Sequence, residues 1–261
     1  IRPASYCGVW GMKPSFGMIP RTGVLKTTDS LDTVGFLTSR GKNLKVILDN
    51  IRVKGPNYPM VFKNIDSLKI NKKNWKVGFV KTHTWEDSKD YVKNSILDFI
   101  DNLSNLNNFT VSEIKWPKSF ESAHKTHNTI YTKSLGYYFK NEGRHIENIS
   151  KTMLNIIKDS NKINSDDFKS GLIDQENFSK NLNSLISPYD MIISIGTSSS
   201  APNREDIELL DPSLLWTLGH VPSISVPLFR CPENLPFSIQ FVSHKWGDYK
   251  LISIINELID N

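Results

Sequence analysis

The sequence has 261 residues, with 32 Lys plus Arg against 27 Asp plus Glu and a formal net charge of +5. A chain of that length can bury a sizeable core, and no apolar run reaches the roughly 18 residues that a membrane-spanning helix needs. Its lysines are scattered among Asn and Ile, without a run of about five or six and without a basic stripe interleaved with aromatics, so neither nucleic acid nor a membrane is expected as a direct partner. The two cysteines, Cys7 and Cys231, stand far apart with no metal-type neighbours, which predicts reduced thiols and a soluble, cytoplasmic protein.

Residues 1–40 read as loop, short helix and strand. Glycines 8, 11 and 17 flank bulky residues where the backbone must turn tightly, and Ser30-Leu31-Asp32-Thr33-Val34-Gly35 reads as a turn leading into a buried strand. The near-helical spacing of apolar residues over 41–51 predicts a surface helix. Residues 54–74, with Gly55-Pro56 and Pro59 among many Lys and Asn, read as a connection.

The stretch 75–80 has strand content, 91–106 carries an apolar stripe at a 3.6-residue period, and 109–114 is again a strand. Strand, helix and strand at this spacing form a βαβ unit with parallel pairing. Residues 120–158 are helical in pattern. From 159 to 187 the periodicity weakens, although Ser165-Asp166-Asp167 marks a helix start. The run 191–195, apolar apart from Ser194, is too short for a helix, hence a buried strand. A short helix over 214–218 breaks at Gly219, two strands at 223–227 and 237–242 are joined by a hairpin-like turn, and an amphipathic helix spans 248–259.

The opening Ile1-Arg2-Pro3-Ala4, the Cys7-Gly8 pair, Gly11-Met12-Lys13-Pro14-Ser15-Phe16-Gly17 and Ser30 to Gly35 together resemble the second half of the amidase signature. A second block, Trp216-Thr217-Leu218-Gly219-His220-Val221-Pro222-Ser223-Ile224-Ser225-Val226-Pro227, preceded by the 190–193 strand and Ser200-Ala201-Pro202, is similar to that family's C-terminal block. The resemblance implies an α/β fold, a mixed β-sheet flanked by helices on both faces, here with its N-terminal part missing. It divides one partial domain, 1–261, into the end of the signature core (1–40), a divergent middle (54–187) and a C-terminal core block (188–261).

What the resemblance implies chemically is hydrolysis of a small carboxylic amide by a serine nucleophile, a second serine and a lysine, without a cofactor or metal. In family members the nucleophile immediately precedes the isoleucine matched by Ile1, so all three groups are expected upstream of Ile1. The chain by itself is expected to be inactive, with its missing N-terminal part as its first partner and a homodimer as a further assembly. It would also leave an open strand edge where upstream strands belong. Serine needs a base to become a nucleophile, and a lysine serves only when burial keeps it neutral.

No lysine of this chain is promoted to that role: Lys13 reads as a structural or surface residue, and Ser5 matches no catalytic position. Ile1 and Arg2 are expected to support the nucleophile loop, Arg2 through its planar fork of donors. Ser198, Ser199, Trp216 and Thr217 fall where relatives line the site, as does Tyr131 on the middle helix. Phe36 stands where the family often has proline. Trp216-Thr217 looks more like the broad hydrolases than the A subunits of tRNA-dependent amidotransferases, whereas Asp211 lies near a substrate-binding acid of those subunits. The alternatives are a non-catalytic, ligand-binding remnant and a transamidase subunit. His124 and His127 share a helix face at metal-ligand spacing but lack a third ligand, so they read as ordinary surface or core histidines, and His220 as a packed loop residue.

Overall fold

The computed structural model describes residues 1–55, 57, 58 and 74–260. Most of the connection expected over 54–74 therefore lies outside the described residues. In chain order the elements are α1 (Arg2–Cys7), β1 (Trp10–Lys13), β2 (Phe36–Thr38), α2 (Asn43–Ile51), β3 (Trp75–Val80), α3 (Asp90–Ser104) and β4 (Phe109–Ile114). There follow α4 (Ala123–Tyr138), α5 (Lys151–Ser160), α6 (Ser165–Ile186), β5 (Met191–Ile195), α7 (Leu214–Leu218), β6 (Ser223–Arg230), β7 (Pro236–Val242) and α8 (Asp248–Asp260).

The seven strands form one mixed sheet in the order β2-β1-β6-β7-β5-β3-β4. β5, β3 and β4 are parallel, and β3–α3–β4 is the βαβ unit its spacing predicts. All pairings from β5 through β7, β6 and β1 to β2 are antiparallel. β5, apolar apart from Ser194, is buried along its length, as a central strand flanked on both faces requires. Alternation sends Met191 and Ile193 to one face and Ile192 to the other. On the first face they meet Leu44 and Leu48 of α2, Val92 and Ile96 of α3, and Ile252 and Ile255 of α8. On the second, Ile130 of α4, Phe178 and Leu182 of α6 and Leu215 of α7 cover the sheet.

Pro227 has no N–H for a ladder, and the β6–β7 register shifts between Val226 and Phe229, where that missing donor does no harm. The strand expected to be buried after Gly35 is instead β2, a three-residue edge strand with Leu37 53% exposed. Among the described residues it pairs only with β1, which leaves its other backbone edge without a strand partner there.

Candidate active site

α1 sits on the antiparallel half of the sheet. Gly8, in the left-handed conformation (φ 64°), ends it and returns its N–H to Ala4 and Ser5 carbonyls. Gly11 of β1 lies directly under the Ala4 Cβ, where any side chain would lift the helix away. Ser5, fully buried, accepts from Ser238 N (2.9 Å) and shares a hydrogen bond with Thr197 Oγ1 (3.0 Å), so it fastens α1 to β7 and to the exit of β5 at once. This is a structural role, in keeping with its position outside the catalytic pattern.

Arg2 holds the other end of this helix. Its Nη1 donates to Glu208 Oε2 at 2.6 Å and its Nε lies 3.6 Å from Asp211 Oδ2. Asp211 in turn accepts from Ser213 N (2.8 Å) and Ser213 Oγ (2.6 Å) at the start of α7. A narrow seam between α1 and the 209–212 segment is lined by Arg2, Ser198, Ser199 and Asp211. Within it Ser198 Oγ donates to the Leu210 carbonyl (3.2 Å) and Ser199 Oγ to the Ser200 carbonyl (2.8 Å).

Next to the seam a cavity of about 340 Å³ opens, whose walls include Ile1, Met12, Lys13, Phe36, Ser213 and Thr217. Thus residues 1–2, 198–199 and 213–217 converge although they are remote in sequence. Thr217 Oγ1 makes no hydrogen bond to the described residues. Trp216, its neighbour on α7, faces the opposite way: it is fully buried, edge-on to Trp116 with ring centroids 6.1 Å apart, and belongs to the second core. Tyr131 lines neither space; it packs half-buried against that core and stacks on His127.

Lys13 is the functional candidate that sequence reasoning passed over. It is buried, and its Nζ donates to the carbonyls of Val221 and Pro14. Burial lowers its pKa to about 7, against an opposing pull from the charge of Asp248. Asp248, at the start of α8, is fully buried and accepts from Ser15 N (2.8 Å) and Ser15 Oγ (2.6 Å); burial nonetheless pushes its carboxyl above the usual range. The signal was available: Lys13 is the single charged residue between Arg2 and Arg21.

The loop that shapes the cavity's far wall is built around Asp32. Burial pushes this carboxyl up, but hydrogen bonds from the backbone and hydroxyls of Thr27 and Thr28 outweigh that and hold it below the ordinary range. His220 takes a left-handed backbone (φ 62°), stacks on Phe16 at 4.3 Å and lies 2.7 Å, through Nε2, from the Ser30 carbonyl; burial lowers it to about 4. His124 bridges His83 Nε2 (2.8 Å) and the Asp211 carbonyl (2.8 Å), and burial, then the nearby His124, lowers His127 to about 4. Among the described residues no group of three His, Cys, Asp or Glu is arranged to hold a metal ion. Cys7 and Cys231 are both free thiols, and no described helix is long and apolar enough to cross a membrane.

The amidase family model matches residues 1–252. The chain belongs to that family. Among curated relatives it is 32% identical over 124 residues to the A subunit of glutamyl-tRNA(Gln) amidotransferase from Staphylococcus aureus, covering 45% of this chain and 25% of that protein. The mitochondrial counterpart from Mycosarcoma maydis is 40% identical over 57 residues, which is 22% of this chain and 11% of that one. Among solved structures, the A subunit of the Thermotoga maritima glutamyl-tRNA(Gln) amidotransferase superposes with a TM-score of 0.79 at 22% identity, over 99% of this chain and 59% of its own. A crystal structure described simply as an amidase gives 0.83 at 18% identity, over 99% and 59%. A bacterial aryl acylamidase of the amidase signature family gives 0.75 at 13%, over 96% and 58%. These amidase signature structures share the fold of the chain, which spans somewhat under two thirds of their length.

Proposed function

We propose that this chain forms the larger part of a cytoplasmic serine amide hydrolase, which cleaves a small carboxylic amide to acid and ammonia through an acyl-enzyme. The observation that carries the reading is the convergence of Ile1 and Arg2 with Thr217 and Ser198 around one cavity and its adjoining seam. In the family pattern the nucleophilic serine directly precedes the residue matched by Ile1, so its acyl group would enter this space. α1, pinned by Ser5 and Arg2, then holds the nucleophile's downstream shoulder still, which is what preorganised attack requires. The activating lysine, the second serine and the oxyanion-binding N–H groups belong to residues preceding Ile1 in this reading, with each oxyanion donor contributing about 3 to 4 kcal/mol.

The test uses the protein expressed from its complete reading frame. A fluorophosphonate should label the serine immediately preceding Ile1, and linear amides should release ammonia. The 261-residue chain alone should do neither. Amide turnover by that chain at ordinary enzymatic rates would overturn the reading, and a complete protein that is neither labelled nor active would point to a ligand-binding relative.

A second reading, the A subunit of a tRNA-dependent amidotransferase, is favoured by relatives that carry that name and match at 32% and 31% identity over 124 and 111 residues. Asp211, the residue nearest in sequence to the substrate-binding acid of such proteins, is occupied here by Arg2 and Ser213. Co-purification with a tRNA-binding partner, and ammonia release from glutamine only in its presence, would select this second reading.

A further inference from the structure

Lys13 has three N–H donors and the described structure uses two, on Pro14 and Val221 carbonyls. It makes no ion pair within 4 Å among the described residues: the nearby carboxylate of Asp248 is turned to Ser15, which fills both its oxygens. Lys13 lines the cavity beside Ile1, whose amino group is a second cation there, and among the described residues no Asp or Glu does; the side-chain polar groups besides Lys13 are the hydroxyls of Thr33, Ser213 and Thr217. Of these, Thr33 donates to Leu31 O and Ser213 to Asp211, whereas Thr217 is unengaged. Lys13, with a spare proton, and Thr217, with an unused hydroxyl, thus both line this cavity between Met12 and Phe36, and among the described residues no carboxylate lines it.

We infer that Lys13 is a specificity-determining residue, and that this cavity selects an acyl group ending in a carboxylate, received by the Lys13 ammonium and the Thr217 hydroxyl. The inference rests on the amidase reading for the position of the reacting amide, and it adds the chemical class of the acyl group. A charge-assisted hydrogen bond in a site screened from water is stronger than one between neutral groups. An incoming carboxylate also relieves the cost of keeping the amine charged away from solvent. With Asp248 on α8, His220 on the 219–222 turn and the Ile1 amino group as the titratable neighbours whose charge couples to it, Lys13 should take up part of a proton when the anion binds near neutral pH.

The experiment compares succinamate with levulinamide, a neutral compound of nearly the same shape, on the protein from its complete reading frame. Succinamate should bind about tenfold or more tightly, with proton uptake read by calorimetry in two buffers of different ionisation heat, and should be hydrolysed with a correspondingly higher kcat/KM. Lys13→Met should bring the ratio close to one, and Thr217→Val should reduce it, while Lys45→Met on the surface of α2 should leave it as it was. Because the ratio is read first on the unaltered protein, a misfolded Lys13 variant does not blunt the test. Turnover of levulinamide with no preference for succinamate overturns this inference and leaves the amidase reading standing. Absence of any turnover overturns the amidase reading, and the binding ratio still decides here: equal or undetectable binding of both compounds rejects the carboxylate site.

Discussion

Arg2 joins the first turn of α1 to a segment more than 200 residues away, through one exposed partner, Glu208, and one nearly buried, Asp211. The exposed contact is screened and contributes little, whereas the buried one leaves a carboxylate with one partner fewer when it is removed. Arg2→Ala should therefore lower stability by about 1 kcal/mol in urea titrations, and Arg2→Lys should recover only part of it, since the ammonium lacks the fork that reaches both acids. His127 makes a pH-dependent contribution. Its pKa falls from 6.5 to about 4 on folding, so the unfolded chain binds more protons between those values and stability drops as pH falls through that window. Between about pH 7 and about pH 5, His127→Gln should remove about 2 kcal/mol of the parent's loss, measured as the shift in urea midpoint. At this scale the sequence was partly readable. The opening motif singled out Ile1 and Arg2 and the later blocks Ser198, Ser199, Trp216 and Thr217, but a five-residue helix is too short to reveal its buried face, and α7 turns Trp216 into the core while Thr217 meets the cavity.

Helix α6 shows why the middle of the chain was harder to read. Its inner stripe is Gly171, Gln175, Phe178, Leu182 and Ile186, so a glycine and a glutamine stand where apolar residues would have announced the period. Gln175 lies against the Ser30 carbonyl, trading hydrophobicity for a hydrogen bond to the loop behind the cavity. The helix is capped by Asn164, which accepts from Asp166 N and Asp167 N, one residue before the start that the sequence marks. Where α4 and α5 meet, a Cβ on Gly136 would run into the Ser160 side chain. Alanine is the better helix former by roughly 1 kcal/mol, yet here the collision should win. Gly136→Ala should unfold at lower temperature than the parent; a rise in Tm would show that Ser160 yields without cost. Strand β3 and helix α3 needed no such correction, because Trp75, Val77 and Phe79 alternate into one core and Val92, Ile96, Ile100 and Leu103 recur there at helical spacing.

At the level of the molecule, the sheet's parallel part is made largely from one local βαβ unit, whereas its antiparallel part joins β1 and β2, near the start of the chain, to β6 and β7 near its end. The mixed sheet with helices on both faces was legible from two motif blocks in the right order, while the exposed setting of β2 was not, since nothing within 36–38 distinguishes an edge strand from an inner one. Ser5 draws its partners from Thr197 and Ser238, so α1 gains its anchors only once β5 and β7 are already paired. Closing a loop of that length is entropically slow, and six residues cannot hold a helix unaided. Amides of α1 should exchange with solvent deuterium sooner than those of β5, and the rate-limiting step of refolding should be insensitive to Ser5→Ala. The last piece of this chain to settle would then be the helix at the cavity's edge, so that the wall shared by Ile1 and Thr217 closes only at the end of folding.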